Sequence, residues 1–210
     1  MEKEILIFGD SVVEGAYDYE FGGWATRLKL YVWNKYPEYY LPFYIEGISG
    51  NTTKDMLNRI DTEIKHRLFE EEYSERAIIL AIGENDTSMD KTINKTLIPV
   101  EEFEDNLLEL IELVKKYKFE VVFIGFGKVD ESKTNPTTFD KNLFYKNEVY
   151  EQYDALLQMI SKEKNCHYVE LKRFKENYKD LLEDGVHPNT KGHKVIFEEV
   201  KDFLEKEKII

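Results

Sequence analysis

Residues 5–11 read Ile5-Leu6-Ile7-Phe8-Gly9-Asp10-Ser11: an apolar run that stops dead at a glycine and an acid, with Gly15 close behind. A short, continuous apolar run closed by turn residues predicts a strand buried on both faces, here Glu4–Gly9. Outward from it the same texture recurs. Pro42–Glu46, Arg76–Gly83 with its AIILAIG core, Phe119–Gly125 and Cys166–Leu171 are further buried-strand candidates. Between them lie stretches with apolar residues at helical spacing. These are Trp24–Tyr36 (Leu28, Tyr31, Val32), Thr53–Phe69 (Met56, Leu57, Ile60, Ile64, Leu68) and Val100–Tyr117 (Phe103, Leu107, Leu110, Ile111, Val114). Glu148–Lys162 (Tyr153, Leu156, Leu157, Ile160) and Lys191–Lys206 complete the set. Buried strands alternating with amphipathic helices imply an α/β chain, a small doubly wound parallel sheet of five strands with helices on both faces.

Composition narrows the partners. A chain of 210 residues suits one domain spanning 1–210, and no repeat, linker or boundary interrupts it. Its 42% hydrophobic content argues against disorder. The net charge of −13 repels phosphate backbones and anionic headgroups, so no nucleic-acid partner is expected. Cys166 is alone, which rules out an intrachain disulfide. Asp10 breaks the first apolar run, so no leader of the secretory type is recognisable. No stretch nears the ~18 apolar residues of a membrane span. A cytoplasmic protein without integral membrane association is the expectation. The oligomeric state is not legible.

Ligands of open parallel sheets bind at the carboxyl ends of the strands. After the first strand comes Gly9-Asp10-Ser11, and after the second Gly47-Ile48-Ser49-Gly50-Asn51. Gly83-Glu84-Asn85-Asp86 follows the third, and beyond the fifth lies Asp184-Gly185-Val186-His187-Pro188. Small and polar residues thus collect on one rim. A serine hydroxyl becomes a nucleophile only beside a base, usually an imidazole oriented by a carboxylate, with donors aimed at the developing oxyanion. Of the four histidines, His66 sits on a charged helix, His167 in or beside the fifth strand, and His193 in the first turn of the last helix. His187 lies in a turn, since Pro188 disfavours helical backbone before it. That turn allows Asp184 to hold one ring nitrogen and leave the other toward Ser11. Each piece has an ordinary reading too. Ser11 and Asp184 are common turn residues, His187 fits a surface turn, Asn85 a cap, and Gly50 a tight turn before a helix.

The four blocks in this order resemble the SGNH hydrolases, also called the GDSL esterase/lipase family. The resemblance runs from about residue 5 to 195, and Gly22-Gly23-Trp24 adds to it. It implies a three-layer α/β/α sandwich, flavodoxin-like, with a five-stranded parallel sheet. It also implies Ser11 as nucleophile, His187 as general base and Asp184 as its orienting acid. The Ser11 and Gly50 backbone N–H groups and the Asn85 side chain would form the oxyanion hole. Asp10 would hold the turn. Val12 stands where the family name has leucine, and Glu84 adds a charge beside the site.

The expected function is therefore a cofactor-free serine esterase acting on a small-molecule ester of a small or medium acyl group. Carbohydrate O-deacetylase, thioesterase and lysophospholipase chemistry are alternatives within the family. A flavodoxin-like binding module is the alternative outside it, but neither G-x-x-x-x-G-K-[ST] nor G-x-G-x-x-G occurs. A silent scaffold is a third reading. No metal site is expected, the histidines being scattered. Two long connections, Asp86–Pro99 and Gly127–Asn147, stand out. The second carries Val129, Phe139, Leu143, Phe144 and Tyr145, which suit either a substrate pocket or core at the sheet edge.

Overall fold

The computed structural model describes residues 3–68 and 75–210. In chain order it runs β1 (Lys3–Gly9), α1 (Ser11–Glu14), α2 (Trp24–Lys35), β2 (Phe43–Gly47), α3 (Thr53–Arg67) and β3 (Glu75–Ala81). Next come a 3₁₀ turn (Asn85–Thr87), β4 (Met89–Asp90), β5 (Lys95–Thr96), α4 (Val100–Lys115) and β6 (Glu120–Ile124). The rest is β7 (Leu143–Phe144), α5 (Asn147–Glu163), β8 (His167–Val169), α6 (Lys172–Leu181) and α7 (Thr190–Lys206).

Five strands form a parallel sheet in the order β2-β1-β3-β6-β8. Every residue of β1 is buried, because helices cover both faces. Ile5 and Ile7 pack with Trp24, Leu28 and Val32 of α2 and Ile196, Val200 and Leu204 of α7. Leu6 and Phe8 pack with Met56, Ile60 and Ile64 of α3 and the apolar stripes of α4 and α5. The result is the three-layer α/β/α sandwich expected. Strand order reverses between β1 and β3, so the crevice beyond their carboxyl ends is where a ligand belongs. Gly9-Asp10-Ser11 and Gly83-Glu84-Asn85-Asp86 sit at that point.

Several boundaries differ from the sequence reading. The fifth strand is only His167–Val169, and the expected end of the Thr53–Phe69 helix lies outside the described residues. Helix α6 was not expected. The long connections are not structureless: β4 pairs antiparallel with both β5 and β7, so residues 86–99 and 127–147 fold against each other. Val129, Phe144 and Tyr145 are buried there, while Phe139 remains half exposed.

Candidate active site

Ser11 opens the single turn of α1. The Asp10 carboxylate accepts the Val12 N–H at 2.9 Å and caps that turn. Gly15, with φ +94°, ends it, and the Gly15 and Ala16 N–H groups both donate to the Ser11 carbonyl at 3.0 Å. A side chain on Gly9 would meet Val13 Cγ2 at 2.2 Å and the Ala81 carbonyl at 2.4 Å, so only glycine lets the chain turn this tightly off β1.

His187 comes from the turn between α6 and α7. Asp184 shapes that turn: its Oδ1 accepts the Val186 N–H at 3.0 Å and the His187 N–H at 2.9 Å. The Glu183 N–H donates to the His187 carbonyl at 2.9 Å, and Leu182 bridges to Pro188. The imidazole is then caught from both ends. His187 Nδ1 lies 2.7 Å from Asp184 Oδ2, and Nε2 lies 3.0 Å from Ser11 Oγ. Burial would drive the Asp184 carboxyl up, but the hydrogen bonds and charge of His187 hold it down at about 2. Burial likewise pulls His187 down, yet the Asp184 bond and charge, with Asp10 and Glu84 behind, leave it raised above an ordinary histidine.

On the other side of Ser11, two backbone donors stand free. Among the described residues neither the Ser11 nor the Gly50 N–H has an acceptor within the chain. Gly50, at φ +80°, follows Ile48, whose N–H donates to the Gly9 carbonyl at 3.1 Å, and Ser49, whose hydroxyl donates to Glu14. Asn85, the third expected donor, already has acceptors. Its amide donates to Asp10 Oδ2 at 3.2 Å and to the Asn51 carbonyl at 3.1 Å. Both hydrogens are thus engaged, and Asn85 binds the nucleophile turn to the Gly50 loop.

That loop is braced from below. Arg59 reaches Asn51 Oδ1, the Gly9 carbonyl and the Glu46 carbonyl at 2.8–3.0 Å. Asp86 is buried and accepts the N–H and hydroxyl of Thr53 at the head of α3. Burial pushes Asp86 up to about 7. Glu84 turns inward to accept the Gly127 N–H at 3.2 Å, and with Asp10 it lines a cavity of about 30 Å³ beneath the site. Burial, then the neighbouring Asp10 charge, pushes Glu84 up to about 8; burial raises Asp10 to about 6.

The other histidines take no part. His66 is exposed. His167 pairs with Glu120 at 2.9 Å, at the start of its strand. His193 is buried and accepts the Trp24 N–H at Nδ1 (3.2 Å) while its Nε2–H donates to the Ala16 carbonyl (2.8 Å), which clips α7 to the segment after Ser11. Both bonds need a neutral ring, and burial keeps its pKa low.

Of the two rings beside the imidazole, sequence reasoning offered Phe139 as a pocket residue and missed Tyr17. The Tyr17 ring lies 5.6 Å from that of His187, and the Phe139 ring 5.5 Å away. Tyr17 adopts φ +67°, unusual for a bulky residue. Asp18 holds it there: its buried carboxylate accepts the Glu20, Phe21 and Gly23 N–H groups and the fork of Arg27. Nothing in the local spacing marks Tyr17.

This geometry finds its counterpart among known proteins. The family model of the GDSL-like lipase/acylhydrolases matches residues 7–195. The chain belongs to that family, and it is a carboxylic ester hydrolase, a serine esterase. It is 27% identical to an isoamyl acetate-hydrolyzing esterase of Saccharomyces cerevisiae, over 97% of this chain and 86% of that one. Solved structures share its fold, among them two esterases. A psychrotrophic esterase of a Pseudoalteromonas species, inhibited by monoethylphosphonate, superposes with TM-score 0.68 at 20% identity, covering 99% of each chain. An acetylxylan esterase of Geobacillus stearothermophilus gives 0.68 at 21% identity, over 96% of this chain and 92% of that one. Among the described residues no helix is long and apolar enough to cross a membrane, and no cluster of His, Cys, Asp or Glu is arranged to hold a metal.

Proposed function

We propose that this esterase cleaves small-molecule esters of short acyl groups through an acyl-enzyme on Ser11. The observation that carries the reading is the continuous relay from Ser11 Oγ through His187 to Asp184, at 3.0 and 2.7 Å. Ser11 Oγ attacks the acyl carbon as His187 Nε2 takes its proton. The carbonyl electron pair moves onto oxygen, where the Ser11 and Gly50 N–H groups donate to it. Asn85 joins them by turning one amide hydrogen away from its present acceptors. The tetrahedral adduct collapses, the bond to the alcohol oxygen breaks, and that oxygen takes the proton from Nε2. Water then repeats the sequence on the acyl-Ser11 and releases the acid. Asp184 fixes the ring and favours the imidazolium that forms twice per turnover. No cofactor enters any step. The name of the yeast relative, which hydrolyses an acetate ester, supports a short acyl group.

The test is hydrolysis of p-nitrophenyl esters from acetyl to palmitoyl by the wild type and by Ser11→Ala. Turnover that is strongest on the shortest chains and vanishes in the variant supports the reading. A folded Ser11→Ala protein that kept more than a few per cent of the activity would overturn it.

A further inference from the structure

The relay fixes where the two halves of an ester lie. The leaving oxygen must receive its proton from His187 Nε2, so the alcohol departs on the imidazole side, away from the Gly50 N–H. What surrounds the imidazole on that side is aromatic. Tyr17 and Phe139 approach it from separate segments, at ring separations of 5.6 and 5.5 Å. Tyr19 extends the surface, meeting Tyr17 edge to face at 6.5 Å. Phe139 is 50% exposed and Tyr19 82% exposed, so core packing accounts for little of either ring. Exposed aromatic rings gathered at one point beside a reacting group are the mark of a ligand contact rather than of stability.

The charge of this flank is mixed at its rim, where Lys191 shares the hollow beside Tyr17 and Tyr19 with Asp180 and Glu183. Nearest the rings the acids prevail, since Asp184 and Glu183 both act on Tyr17. A carboxylate or phosphate on the alcohol would meet repulsion there. Tyr17 is a fixed wall, held by the Asp18 hub and by Thr190, whose hydroxyl donates to the Tyr17 carbonyl at 3.4 Å. Phe139, on the 127–147 connection, is the wall that can be exchanged without touching the relay.

On the acyl-enzyme reading above, we propose that Tyr17, Tyr19 and Phe139 form the alcohol subsite and select esters of neutral, apolar alcohols that are branched or aromatic. The shelf discriminates by the size of the alcohol and by its charge, and it leaves the acyl side alone.

The experiment holds the acyl group at acetate and varies the alcohol: ethyl, isoamyl and benzyl acetate, 4-(acetoxymethyl)benzoate as the anionic twin of benzyl acetate, and an acetylated xyloside. Wild type should favour benzyl and isoamyl acetate over ethyl acetate by about tenfold in kcat/KM, the scale of a few methylenes gaining an apolar contact. It should reject the anionic twin and the xyloside. In Phe139→Ala the benzyl-to-ethyl ratio should fall by at least about fivefold, through KM, while the acyl-length profile on p-nitrophenyl esters keeps its shape. Tyr19→Ala should lower the same ratio less. The proposal is overturned if Phe139→Ala changes all alcohols by one factor, if it reshapes the acyl profile instead, or if the xyloside is the better substrate. Hydrolysis indifferent to the alcohol removes the shelf alone; no hydrolysis of any ester removes the acyl-enzyme reading and the shelf together.

Discussion

On one flank of Ser11, Asn85 lies between Asp10 and Asn51, Arg59 braces Asn51 from below, and Asp86 ties down the head of α3. On the other flank, His187 stands between two rings, one of them half exposed and carried by a connecting segment. The first flank is a mesh of buried and part-buried hydrogen bonds around the two free N–H groups, with Arg59 Nη1 left over from the brace. Removing one member leaves its partners unpaired, at about 1–3 kcal/mol each. The second flank, past the Asp184–His187 pair, is a set of surface contacts that tolerate exchange. The difference teaches how one framework keeps a reaction constant while its choice of alcohol changes: chemistry is lodged in the mesh, selection in the rings.

The largest effects should come from the relay that joins the flanks. Ser11→Ala and His187→Ala should each lower kcat on the order of 10⁶-fold, with far-UV circular dichroism unchanged. Asp184→Asn should cost less, on the order of 10⁴-fold, since it disturbs tautomer and orientation rather than removing a reacting atom. It should also move the acidic limb of the rate profile. The Asp184 charge favours the imidazolium and holds His187 above its ordinary value. Without it the ring loses its proton more readily, so the midpoint of the limb falls to lower pH. A limb that stays put or rises would mean that Asp184 acts on the turn alone.

Asn85→Ala probes the mesh itself. As an oxyanion donor it should cost on the order of 10²–10³ in kcat with KM little changed. As a tie between Asp10 and Asn51 it should also lower the unfolding midpoint. Loss of stability with full turnover would assign Asn85 to the scaffold and break the contrast drawn here.

The smallest effect concerns pH and stability. Burial holds Asp10, Asp86 and Glu84 up at about 6, 7 and 8, above ordinary carboxyls. The folded chain therefore retains protons that the unfolded chain releases from about pH 4 upward. The contribution of these three carboxyls to stability should fall as pH rises from about 4 to about 8. Glu84→Gln removes its share of that slope, so its thermal midpoint should decline less than that of wild type between those limits. An equal decline in both proteins would mean that Glu84 is ionised in the fold.

What the sequence makes legible follows from the same physics. Ile5–Phe8 and Ala77–Leu80 are buried on both faces of the sheet, so they appear as unbroken apolar runs. The residues of the relay stand at strand ends or in a Gly/Pro-bounded turn, where topology gathers them. Helix α6 escaped because Phe174, Tyr178 and Leu181 are its sparse apolar residues and Asn177 kinks it. Strands as short as β4, β5 and β7 show no alternation to read. Tyr17 and Phe139 meet His187 only through tertiary packing, and the engagement of Asn85 with Asp10 depends on side-chain directions that no spacing encodes.

Ser11 and His187 are 176 residues apart in the chain, and the His193 clip to Ala16 and Trp24 helps hold their segments together. At ordinary rates of synthesis, roughly ten to thirty-five seconds separate the emergence of the serine from that of its base. Through that interval the nascent chain carries only an inert hydroxyl. Contacts of such long range close late in folding as well. Ester hydrolysis by this protein is therefore a clock that starts only when the two ends of the fold have met, and refolding followed by turnover would time that meeting directly.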